Sequence, residues 1–168
     1  AEVAVKEITD RIDEVEFVMI TARIRKDLKE YEKIGNIEVY RIGKGNKWDK
    51  FRLIFSGWKK ARELGKFDLV WSIMASYAGF AALKYKKNHK NVPFLLTLQE
   101  GDSKWHIYSR VWWCWWRFKR IFRSADTIQA ISTYLAKWGQ NMGAKCEVEV
   151  VPNGVSLERF KIEDLRLK

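Results

Sequence analysis

The chain has 168 residues, enough for one α/β domain with a buried core and too few for two ordinary domains. Hydrophobic residues make up 47% and aromatics 14%, which excludes intrinsic disorder. Lys plus Arg number 32 against 21 for Asp plus Glu, a net charge of +11 that favours an anionic partner: nucleic acid, a phosphorylated substrate or an acidic membrane surface.

Residues 1–13 carry Val3, Val5, Ile8 and Ile12 at roughly helical spacing, with Glu2 in the first turn. In a strand–helix architecture a strand and a tight loop are expected before such a helix. Apolar runs suited to strands follow at 15–21 and 37–42. Gly43-Lys44-Gly45 is the only close glycine pair; Trp48 replaces the next glycine of a dinucleotide loop, so the segment reads as a turn. Beyond it the pattern predicts a helix over 48–64, a strand over 67–72 and a helix over 76–87. A strand over 93–98, a helix over 104–123, a strand over 127–131, a helix over 133–142 and a strand over 147–151 complete the series. Phe17-Val18-Met19-Ile20 and Phe94-Leu95-Leu96 are continuous rather than alternating, as strands covered on both faces require. The expected fold is α/β: a doubly wound, mainly parallel, Rossmann-like sheet flanked by helices, with right-handed crossovers. Pro152-Asn153-Gly154 forms a turn, and the charged tail 156–168 packs no obvious core. The chain is therefore expected to be a piece of a larger protein, cut after a first strand and its phosphate-facing loop.

Two cysteines, Cys114 and Cys146, exclude a disulfide framework and fit a reducing cytoplasm. His89 and His106 stand at no metal-ligand spacing from them, so no metal is expected. The longest apolar run, 111–116, falls far short of the ~20 residues of a spanning helix, and no signal peptide is evident. A soluble protein, or one lying on a membrane without crossing it, is the expectation.

The most unusual segment is 105–123, WHIYSRVWWCWWRFKRIFR. On one continuous helix Arg110, Arg117 and Arg120 share a narrow stripe, while Tyr108, Trp112, Trp113, Trp115, Trp116, Phe118 and Phe122 cover most of the rest. Either the helix is deeply buried, or one side packs on the sheet and another enters a lipid headgroup region. From Lys104 to Arg123 there are six basic residues and no acid, and the basic run 84–90 would extend such a surface. Nucleic acid is the rival partner: Arg41 to Arg62 holds eight basic residues, one acid and interleaved aromatics. There, however, Phe51, Ile54, Phe55 and Trp58 fall at spacings suited to a helix core, and no nucleic-acid module is present, so no nucleic acid is expected. A third constellation, Gln99-Glu100-Gly101-Asp102, sits where a strand ends, the place where open α/β sheets bind ligands. Its carboxylates and amide can accept hydrogen bonds from sugar hydroxyls, or Asp102 or Ser103 can simply cap the next helix. Ser72, with Ser76 and Tyr77 close behind, occupies a similar strand end.

The succession of motifs resembles the N-terminal domain of the family-4 (group 1) glycosyltransferases of GT-B fold. Ala1-Glu2 looks like the tail of a Gly-Gly-Ala-Glu loop, followed by 67–72 and 93–102. Then come Ser124-Ala125-Asp126, Ser132-Thr133-Tyr134-Leu135, and Val151-Pro152-Asn153-Gly154-Val155 with Leu157-Glu158-Arg159-Phe160. The resemblance implies residues 1–151 as the acceptor-side domain and 152–168 as hinge and connection to a C-terminal, donor-binding domain. It implies retaining, metal-independent transfer, with no cofactor, from a nucleotide-sugar to a lipid-linked or polysaccharide acceptor, on the cytoplasmic face of an anionic membrane. Ser72, Ser76, Tyr77, Gln99, Glu100 and Asp102 are the candidate substrate-binding residues, and Asn153 and Gly154 the hinge. Gln99 stands where family members often carry a histidine; an amide can hydrogen-bond a sugar but cannot shuttle a proton at neutral pH. Arg110, Trp112, Trp113, Trp116, Arg117 and Arg120 are the candidate membrane contacts. The isolated fragment is expected to be inactive. A non-catalytic binding or scaffold domain of the same fold is the alternative from another class.

Overall fold

In the computed structural model, which describes residues 2–154, two sheets and six α-helices alternate along the chain. After α1 (Glu2–Thr9) come β1 (Phe17–Ala22), β2 (Tyr31–Ile34), β3 (Ile37–Ile42) and α2 (Asp49–Leu64). The second half runs β4 (Val70–Ile73), α3 (Tyr77–Asn88), β5 (Phe94–Leu98), α4 (Lys104–Val111), α5 (Trp115–Ser124), β6 (Thr127–Ala130), α6 (Thr133–Asn141) and β7 (Val148–Val150). Strands β4-β5-β6-β7 pair in that order, all parallel, as the apolar runs and intervening helices demand. Strands β1 and β3 also pair in parallel, Phe17 opposite Ile37.

Three features depart from the sequence reading. The strands form two sheets, β1-β3-β2 and β4-β5-β6-β7, rather than one. Strand β2 was not expected, and it is antiparallel to β3. Its signal is the Gly35-Asn36 pair between Ile34 and Ile37, a two-residue hairpin in which Gly35 adopts φ +56. Polar neighbours mask the strand: Glu32 pairs with Arg41 and Glu30 with Arg23, charges that suit an exposed edge. Finally, the helix expected over 104–123 is broken by a 3-10 turn at Trp112–Cys114. Val111 (ψ 2°) and Cys114 (ψ 24°) leave helical geometry, and Trp113 Nε1 donates to the Arg110 carbonyl at 3.1 Å. Arg110 therefore lies on a different helix from Arg117 and Arg120, and no single wheel describes the three.

The main core joins one face of β4–β7 to α3, α5 and α6 through Phe94, Leu96, Phe118, Ile121, Phe122, Ile128 and Trp138. The Ser-Ala-Asp motif is structural: Ala125 is buried, while the Asp126 carboxylate accepts from the Phe94 amide at 2.7 Å and pairs with Lys86 at 2.8 Å. Helix α2 lies on α3 through Leu53 and Gly57, where an added Cβ would stand 3.1 Å from Ala81 Cβ. That close approach turns the neighbouring face outward. Phe51 and Phe55, expected in a helix core, are 39% and 63% exposed.

The turn before α2 hangs on one buried carboxylate. Asp49 Oδ2 accepts from the amides of Lys44, Gly45 and Asn46 at 2.8, 2.8 and 2.9 Å. Gly43 and Gly45 supply the positive φ angles (124° and 86°) that the expected turn requires. Burial pushes the Asp49 carboxyl upward, but the three amides and Arg52 outweigh it and hold it below its ordinary value. A depressed folded value means that stability is present above the unfolded pKa of about 3.8 and lost as pH falls through the folded one. Asp49→Asn should therefore be less stable than the parent at pH 5, and urea unfolding at successively lower pH should show that gap closing.

Candidate functional site at the carboxyl edge

Parallel pairing sends β4, β5, β6 and β7 out at one edge, where their following loops meet. The loop after β5 carries Gln99 to Asp102, and Ser103 caps α4 by accepting from the His106 amide at 3.3 Å. Ser132 caps α6 in the same way through the Leu135 amide. Among the helix-start alternatives for the β5 loop, Ser103 rather than Asp102 is the cap. Asp102 is exposed in the loop beside Gly101, where an added Cβ would meet nothing.

Two bonds tie this loop to distant parts of the chain. Gln99 Nε2 donates to Asn153 Oδ1 at 2.8 Å, joining the loop after β5 to the expected hinge 54 residues away. Glu100 Oε1 accepts from the Ala75 amide at 2.7 Å and so holds the β4–α3 turn. In that turn Met74, a non-glycine residue, takes φ +69. The other oxygens, Gln99 Oε1 and Glu100 Oε2, are buried with no hydrogen-bond partner among the described residues. Both atoms are hydrogen-bond acceptors withdrawn from water.

The structure places the remaining candidates less uniformly. Ser72 is 2% exposed and its hydroxyl donates to the Met74 carbonyl at 3.2 Å, so it supports the turn from beneath. Ser76 begins α3 without a side-chain cap, and Tyr77 packs edge-on against Phe51 with ring centroids 5.1 Å apart. Asn153 and Gly154 are exposed at the end of the described chain; the connection 155–168 lies outside the described residues. Sequence reasoning did not find Ala75, because its role is a backbone amide. Nor did it find the aromatic rim: Trp105 is 81% exposed at the start of α4, and Lys104 Nζ stands 4.0 Å over the ring of Tyr134 in α6.

From this edge α4 leads to the Trp-rich surface. Trp112, Trp113 and Trp116 are 75%, 62% and 75% exposed, and Arg110, Arg117 and Arg120 are exposed among them. Trp115 turns the other way: Tyr108 meets it edge-on at 5.1 Å, and Trp138 Nε1 donates to the Tyr108 hydroxyl at 3.0 Å. Between these Trp side chains, Lys119 and the end of α6 at Asn141 and Met142 lies an open groove of about 790 Å³.

A family model described as Glycosyltransferase Family 4 matches residues 1–159. No curated protein matches the chain. The site makes its own test through Glu100, whose carboxyl is raised above the ordinary 4.5 mainly by burial, against the pull of the Ala75, Glu100 and Gln99 amides. A raised acid costs the fold stability as pH climbs from 4.5 to the folded value, and the loss persists above it. Glu100→Gln keeps an acceptor for Ala75 without the charge. It should match the parent near pH 4 and exceed it at pH 7.5 in urea unfolding; lower stability at both would show that burial is not what governs this group.

Proposed function

Because the chain belongs to glycosyltransferase family 4, a family of sugar-transferring enzymes, we propose that it is the acceptor-side half of a retaining, membrane-associated enzyme. In this reading a nucleotide-sugar gives up its sugar to a lipid-linked or polysaccharide acceptor, without metal or cofactor, on the cytoplasmic face of an anionic membrane. The donor is held by a C-terminal domain joined through Asn153 and Gly154. The observation that carries the reading is the two-sided helix pair. Phe118, Ile121 and Phe122 are fully buried, yet Trp112, Trp113 and Trp116 of the same segment stand in solvent among arginines. Trp suits the water–lipid boundary, and each basic group near an anionic leaflet adds about 1 kcal/mol of attraction. No helix among the described residues is long and apolar enough to cross a membrane, so the contact in this reading is lateral.

At the edge, Gln99 and Glu100 act on the acceptor by orientation. The Gln99 amide accepts or donates a hydrogen bond but moves no proton, so it positions a hydroxyl and leaves proton transfer to groups elsewhere. Domain closure excludes water, without which hydrolysis of the donor competes with transfer. Two outcomes follow. The 168-residue chain should show no transfer and no donor hydrolysis above a buffer blank. It should co-sediment with anionic vesicles, and replacing Trp112, Trp113 and Trp116 by Ser should weaken that binding by about tenfold or more, given the size of Trp's interfacial contribution. Indifference to vesicles together with salt-sensitive binding of a single-stranded oligonucleotide would replace the membrane reading with a nucleic-acid one. A full-length gene that encodes no donor-binding second domain would favour a non-catalytic scaffold.

A further inference from the structure

The open groove of about 790 Å³ between the Trp-rich segment and the end of α6 has a chemistry unlike that of the carboxyl edge. The edge offers carboxylates and amides; the groove offers cations, indole donors and hydrocarbon. Arg117 and Lys119 line it, and neither makes an ion pair among the described residues. The sequence explains why. No Asp or Glu occurs from Ser103 to Ala125 or from Thr127 to Cys146, and these two stretches supply every residue that lines the groove. Lys119 Nζ stands 5.4 Å over the ring of Trp115, and Arg117 is exposed. Unpaired cations beside apolar rings favour an anion whose other end is apolar.

Hydrogen-bonding capacity narrows the occupant further. The indole N–H of Trp113 is spent on the Arg110 carbonyl, whereas those of Trp112, Trp115 and Trp116 have no acceptor among the described residues. Side-chain acceptors are few: Tyr108 Oη, which already accepts from Trp138 Nε1 at 3.0 Å, the Asn141 amide oxygen and the Cys114 sulfur. A sugar chain brings hydroxyls that donate as well as accept, and it needs acceptors in return; the oxygens of a phosphodiester only accept. Met142, 2% exposed, and the half-buried Trp115 add hydrocarbon and ring surface already largely withdrawn from water. The volume lies within the range of about 300–1,000 Å³ that holds one small molecule.

We infer, resting on the membrane reading above, that this groove is a binding site for one anionic phospholipid of the leaflet. The phosphodiester accepts from Arg117, Lys119 and the free indole donors, and one acyl chain lies along Trp115, Trp116 and Met142. A membrane-facing surface attracts the leaflet as a whole; a groove holds a single lipid by its headgroup and chain together. Asn141 and Met142, which end α6, line the groove without belonging to the Trp-rich segment. The site is therefore made by the fold, through the packing of α5 beside α6 in the main core, and not by the composition of one helix.

The probe is dihexanoyl-phosphatidylglycerol, a short-chain anionic phospholipid, kept below its micelle concentration so that no bilayer face is present. Titrated into the 168-residue chain, it should shift the tryptophan fluorescence to saturation at one lipid per chain. Binding should be about tenfold or more tighter than that of dihexanoyl-phosphatidylcholine, and inorganic phosphate at the same concentration should not compete. Arg117→Ala should weaken it about tenfold, and so should Asn141→Glu, which sets a like charge beside the phosphate. Lys59→Ala, the same loss of charge at an exposed position on α2 outside the groove, should change it by less than about twofold. A response that never saturates, or one equal for the two lipids, overturns the inference. So does competition by inorganic phosphate, displacement of the lipid by a single-stranded oligonucleotide, or tryptophan burial that rises with protein concentration alone, since a second copy would then be the occupant. Loss of saturable binding while anionic vesicles still sediment the chain removes the groove site and leaves the membrane reading; loss of both removes that reading as well.

Discussion

Parallel pairing of β4 through β7 is the constraint on which the candidate site depends. Antiparallel neighbours would scatter the strand ends between two edges; parallel ones place Ile73, Leu98, Ala130 and Val150 together. The ends of β4, β5 and β6 are each followed by a helix that returns the chain, and the loops between are short. Ser76, Ser103 and Ser132 each stand at such a helix start. Positions far apart in sequence meet at this edge: Glu100 reaches Ala75, and Gln99 reaches Asn153. The apolar layer of Phe94, Leu96, Phe118 and Trp138 keeps the strand ends from drifting.

The same layer explains why the tryptophans are outside. Helix α5 has already committed Phe118, Ile121 and Phe122 to the core, and none of the three is accessible. The 3-10 turn at 112–114 then resets the rotation of the segment, so that Trp115 faces Tyr108 while Trp112, Trp113 and Trp116 are carried away from the sheet. A fully buried helix would need a further layer to cover them. The described fold supplies none, and Trp112, Trp113, Trp116 and Arg117 line an open groove that also takes in the end of α6.

Much of this was legible in the sequence because burial on both faces leaves a plain mark. Short apolar runs, two of them continuous, located six of the seven described strands, with ends displaced by up to three residues at β4, whose pairing begins at Val70 opposite Phe94. What escaped was set by relations between segments. The hairpin strand β2 hid behind its charges, and Phe51 and Phe55 were assigned inward because their spacing matched a stripe that Leu53 and Gly57 in fact occupy. At the site, Gln99, Glu100 and Asn153 could be named from motif and strand-end logic. The Ala75 amide and the left-handed Met74 could not, since a backbone donor and a φ angle have no residue type.

The apolar cleft lined by Val18 and Ile20 of β1 and by Val70, Trp71 and Ser72 of β4 adjoins the candidate site through the end of β4. Strands β1 and β4 reach the carboxyl edge at Ala22 and Ile73, and the turn that follows Ile73 is the one Glu100 holds through Ala75. The apolar cleft and the polar edge are therefore coupled: β4 lines the one and, through the turn that Glu100 holds, positions the other, so rigidity in the sheet carries over to the edge.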